Sequence, residues 1–114
     1  MERLGGIHLQ WYQRHLEHLA LSYESMEKGD LRATCYHTYQ AVSALLSGLL
    51  GLDPQHPGAV FKTLAAMARM VAEELPPDVA NCVELLEKNY FHGNERCLGC
   101  AELLIDYFHR YITV

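Results

Sequence analysis

The sequence predicts an all-α, up-and-down bundle of about five helices, and three observations predict it. Apolar residues recur at spacings of three and four through most of the chain. Breaks built from glycine, proline or a capping side chain divide that periodicity into segments of helix length. No apolar–polar alternation of four or more residues runs between turns, so no strand is expected.

The first helix is expected over about 7–28, where Leu9, Tyr12, Leu16, Leu19, Tyr23 and Met26 mark one apolar face between charged positions. Gly29 stops it and Asp30 caps the next, a break short enough for a tight antiparallel hairpin. The second helix, about 31–51, repeats Leu31, Cys35, Thr38, Val42, Leu45 and Leu49, and carries no charge from Ala41 to Leu52. A helix apolar nearly all round belongs at the centre. Pro54 and Pro57 then break the chain. A third helix, about 59–75, presents Val60, Leu64, Met67, Val71 and Leu75 and ends at Pro76 and Pro77. A fourth, about 78–91, presents Val79, Val83, Leu86 and Tyr90. After a turn at His92, Gly93 and Asn94, with Asn94 as cap, a last helix of about 95–112 aligns Ala101, Leu104, Ile105, Phe108 and Ile112. No repeat at a period of 30–45 residues supports a solenoid.

The 114 residues suit one domain over 1–114, with 50% hydrophobic content that excludes disorder. No apolar run reaches the length of a membrane span. The first residues lack a secretory apolar core, so a soluble, cytoplasmic protein is expected. A net charge of -5 argues against a general nucleic-acid binder. In that setting Cys35, Cys82, Cys97 and Cys100 are expected as reduced thiols packed like small hydrophobes.

Several residue groups could carry chemistry. His15 and His18 stand at i, i+3 beside Glu17, but no Glu-x-x-His accompanies them, so a solvated polar face without metal is expected. Cys97 and Cys100 form a Cys-x-x-Cys at a helix start, without the strands of a thioredoxin-like setting; a zinc site would need further ligands, with His92 and Cys82 nearest in sequence. Neither metal nor cofactor is expected. Arg32 and His37, with Tyr39 following, match the Arg-x4-6-His pattern of metal-independent ribonucleases, in which arginine stabilises phosphate charge and histidine moves a proton. Six arginines and seven histidines make such a match cheap, and Arg3 with His8 gives another in an unstructured start. Helical geometry puts Arg32 and Tyr39 on one face and His37 roughly 140° away. Seven tyrosines fit boundary positions, at core edges or at an interface.

The order of these features resembles the HEPN family (higher eukaryotes and prokaryotes nucleotide-binding domain). The likeness rests on EKGD at 27–30 leading into LRATCYHTYQAVSALLSGLL at 31–50, on Pro54, His56 and Leu64 as a third-helix segment, and on LLEKNYF at 85–91 before the last helix. It covers about 9–112. The resemblance implies a homodimeric helical bundle that acts with a small nucleotidyltransferase, in a toxin–antitoxin pair, or with a nucleotide or RNA. It also implies that catalytic members carry Arg-x4-6-His near the last helices. Here Arg96 is followed by no histidine until His109, and Val42, Ser43 and Ala44 stand where lysine and glutamate are common. The expected function is therefore a non-catalytic homodimer working through a partner or bound nucleotide. The alternatives are a ribonuclease using Arg32 and His37, and a helical adaptor for a peptide or protein. The apolar surplus of the second helix favours a patch reserved for a second chain.

Overall fold

Capping and turn chemistry set the helix boundaries. The computed structural model describes residues 3–4, 7–55 and 63–112, the first pair by backbone alone. Helix α1 spans Leu9–Glu27, with His8 as N-cap: its Nδ1 accepts from the Gln10 N–H at 3.2 Å. Gly29, at φ 72°, takes the left-handed turn after α1. The Asp30 and Gly29 amides donate to the Ser25 and Met26 carbonyls, a Schellman ending. Asp30 then caps α2, Leu31–Leu49, by accepting from the Ala33 N–H at 3.1 Å. The same ending closes α2, with Gly51 at φ 70°.

Helix α3 is Leu64–Val71, capped by Thr63, whose hydroxyl accepts from the Ala66 N–H. Helix α4, Pro77–Asn89, starts on proline, and α5, Cys97–Phe108, runs into a 3-10 turn at His109–Tyr111. The described residues thus form an all-α bundle of five helices with one minimal strand pair. Arg3–Leu4 (β1) and Ile7–His8 (β2) pair antiparallel, Arg3 opposite His8 and Leu4 opposite Ile7. These short strands lie in a segment expected without structure, and Ile7 enters the core, where it is 1% exposed.

Two further boundaries differ from expectation. Helix α3 stops at Val71, and Ala72 is extended, four residues earlier than the apolar spacing suggested. Glu73 and Glu74 would oppose the negative end of the helix dipole, and Pro76 disfavours helical geometry at Leu75. Val60 and His56 lie outside the described residues. Before α5, the Asn94 side chain accepts from the Arg96 N–H at 2.8 Å, so it shapes the turn and Arg96 becomes the N-cap.

Helix α2 is the hub. One side carries Cys35, Val42, Leu45 and Leu46, all fully buried with Leu64, Met67, Val83, Leu86, Leu104 and Phe108 of the later helices. The other side is a stripe of small residues, Thr34, Ala41, Ala44 and Gly48, which lets α1 lie close along it. At Gly48 a Cβ would come within 3.0 Å of Trp11 Cβ and 2.6 Å of Ile7 Cγ1.

The cysteines are not reduced thiols. Cys35 on α2 is bonded to Cys97, and Cys82 on α4 to Cys100, both on α5. Cys97 and Cys100, three residues apart, share one face of α5. That face lies where α2 and α4 meet, so each sulfur has a different neighbour and the Cys-x-x-Cys pairs outward rather than with itself.

Candidate functional site

The sequence-derived trio of Arg32, His37 and Tyr39 is spread over three neighbours. Arg32, exposed in the first turn of α2, donates from Nε to the Phe91 carbonyl at 3.2 Å. Its backbone packs against Gly93, whose φ of 87° closes the α4–α5 turn. Tyr39 turns toward α4, where its ring stacks on Tyr90 with centroids 4.4 Å apart. Burial and the nearby Glu87 carboxylate push the Tyr39 hydroxyl above the ordinary tyrosine range, so it remains protonated. Glu87 also accepts from the Leu64 N–H at 2.7 Å, which ties α4 to the start of α3. His37 turns to α1, with Nδ1 3.0 Å from His18 Nδ1. The three side chains therefore have separate contacts, Arg32 with Phe91, His37 with His18 and Tyr39 with Tyr90.

The histidines of α1 differ from expectation. They do not form a solvated face. His15 is 1% exposed and its Nδ1 lies 2.8 Å from the Ala41 carbonyl. A carbonyl only accepts, so Nδ1 carries the proton and donates. Burial, with His109 nearby, holds His15 below the ordinary imidazole range, against the opposing pull of the Ala41 carbonyl. Burial and His37 hold His18 low as well, with Arg14 adding to this and Glu17 opposing it. Tyr36 packs edge-on against both His18 and His37. The sequence signal for this pairing was the tight turn at Gly29: residues at similar distances along the two arms of a hairpin must face one another.

The apolar stripe of α1 also points elsewhere than expected. The side facing α2 holds Trp11, His15 and Ser22, while Leu16, Tyr23 and Met26 remain 47%, 42% and 37% exposed. Of the three, Tyr23 lines a shallow groove of about 230 Å³ between α1 and α5, together with Leu19, Glu102, Ile105, Asp106 and His109. Tyr23 bridges it, its hydroxyl donating to Glu102 Oε2 at 2.7 Å. At the α4–α5 turn, Phe91 is 61% exposed and rests on Tyr90. Among the described residues no group of three or more His, Cys, Asp or Glu could hold a metal ion, and no helix is long and apolar enough to cross a membrane.

No family model matches the chain, and no solved structure matches it. A segment of 62 residues is 31% identical to zinc finger FYVE domain-containing protein 1 of Mus musculus, of Homo sapiens and of Pongo abelii. The segment is 54% of this chain and spans 8% of the length of those relatives. It is a likeness to a small part of much longer proteins.

Proposed function

We propose that the chain is a non-catalytic, HEPN-like homodimeric domain that acts through a partner protein, such as a small nucleotidyltransferase, or through a bound nucleotide or RNA. The observation that carries the dimer is the outward-facing stripe of α1. Leu16, Tyr23 and Met26 keep helical spacing and an apolar character that solvent gives no reason for, beside a groove floored by Leu19 and Ile105. A self-complementary patch of this kind suits a two-fold interface. The separate partners of Arg32, His37 and Tyr39 support the non-catalytic part of the reading.

Native mass spectrometry of the protein purified from its own cells tests the assignment, because it reports stoichiometry and any bound nucleotide or protein together. The expected species is a dimer, and Leu16→Glu with Met26→Glu yields a folded monomer. A double variant that remains dimeric removes α1 as the interface. Metal-free RNA cleavage abolished by His37→Ala supports the ribonuclease alternative instead, and a wild-type monomer that captures a peptide helix supports the adaptor. Disulfides persist in oxidising surroundings, so the two found here weigh against the reduced, cytoplasmic setting expected from the sequence.

A further inference from the structure

Two features of the bundle divide it unequally. The disulfides join α2 to α5 and α4 to α5, so these three helices are covalently stapled. Helix α1 has no covalent tie. It packs most extensively along α2 and touches α5 only lightly, where Tyr23 donates to Glu102. Its seam with α2 includes two imidazole contacts, His15 on the Ala41 carbonyl and His18 on His37, beside Trp11 and Ser22. We propose that α1 is an acid-released arm: proton uptake by the histidines of the α1–α2 seam undocks α1 from the α2–α4–α5 core that the disulfides hold together.

Each imidazole holds α1 in its neutral form. His15, with Nδ1–H already committed to Ala41, can take a second proton only at Nε2. That would put a full charge in a buried position with Tyr12 on one side and His109 on the other. The 3.0 Å Nδ1–Nδ1 contact of His18 and His37 holds one proton, donated by one ring and accepted by the other. When both rings are charged, two N–H groups oppose each other and the contact turns repulsive.

The groups around the seam do not rescue it. On α1, Arg14 opposes a charged His18 while Glu17 favours one. On α2, Tyr36 offers ring edges and His37 a like charge. Past α5, His109 adds a like charge beside His15. The acidic side chains of α5, Glu102 and Asp106, line the α1–α5 groove with Leu19 and His109, and Glu102 is engaged by Tyr23. Among the described residues neither His15 nor His18 forms an ion pair with a carboxylate. The inference concerns the seam within one chain and holds whether or not the proposed dimer forms.

Amide hydrogen exchange of the intact, oxidised chain at pH 7.4 and pH 5.2, corrected for intrinsic rates, tests it. Protection in 9–27 should fall about tenfold or more at pH 5.2, while 77–89 and 97–108 keep theirs. Unchanged protection in α1 overturns the proposal, as does an equal loss in every helix. A chain carrying His15→Gln, His18→Gln and His37→Gln keeps amide hydrogen bonding but gains no charge, and should show the same α1 protection at both pH values. Acid sensitivity that persists in it overturns the proposal. If that variant does not fold, an NMR titration of the wild-type imidazoles serves: His15 and His18 should take up protons over the pH range in which α1 loses protection. Uptake only well below that range overturns the proposal.

Discussion

Two glycines on neighbouring helices make opposite demands of a methyl group. At Gly48 an added Cβ would meet Ile7 Cγ1 at 2.6 Å and the Trp11 Cβ at 3.0 Å, beneath the ribbon that leads into α1. Overpacking of this kind costs about 1–3 kcal/mol, against about 1 kcal/mol regained from helix propensity. Gly48→Ala should therefore lower stability by up to about 2 kcal/mol. At Gly99, in the first turns of α5, nothing lies within 4 Å. Gly99→Ala should stabilise by about 0.5–1 kcal/mol, and urea denaturation of the pair reads both signs. His15 adds a dependence on pH. The folded state keeps it neutral, whereas the unfolded chain takes up a proton near pH 6.5. Its contribution is therefore complete above about pH 6.5 and lost as pH falls through the lower, folded value. Denaturant midpoints measured from pH 7.5 down to 5.5 should fall, and His15→Gln should flatten the curve. Spacing alone showed that Arg32 and His37 point apart, because helical geometry is rigid. It could not show that His37 meets His18, since that contact depends on how two helices lie together.

Among the helices, the sequence read most plainly where burial is one-sided. The faces of α4 and α5 that bury Val79, Val83, Leu86, Leu104 and Phe108 follow the apolar spacing directly. In α1 the same spacing marked a stripe without saying what it faces. The small residues of α2 accept polar Ser22 and His15, and so leave Leu16 and Tyr23 outside. The early end of α3 came from charge and proline acting against an apolar pattern that ran on to Leu75. The disulfides were open to sequence only as an even number of cysteines, because pairing depends on which helix faces abut. They make a firm prediction. Peptide mapping without reduction should recover Cys35–Cys97 and Cys82–Cys100. Replacing Cys35 and Cys97 by serine should cost about 4 kcal/mol, and replacing Cys82 and Cys100 about 3 kcal/mol, the longer loop being the more costly to open. A free Cys97–Cys100 pair in the map would contradict this arrangement of α2, α4 and α5.

At the scale of the whole molecule, the apolar half of the composition is divided between the core and the surface. The core takes one face of α2, α4 and α5, and exposed apolar side chains remain on α1 (Leu16, Leu21, Tyr23 and Met26), on α2 (Leu31 and Tyr36), at Met70 of α3 and at Phe91. The disulfides tie α2, α4 and α5 together, while the face proposed for a second chain lies on α1, outside that covalent unit. Association through α1 is the central claim, and the mass of the wild-type chain in solution tests it most directly. Multi-angle light scattering behind size exclusion, at neutral pH and tens of micromolar, should give twice the 13.0 kDa of one chain. A single 13.0 kDa species at that concentration would contradict the account.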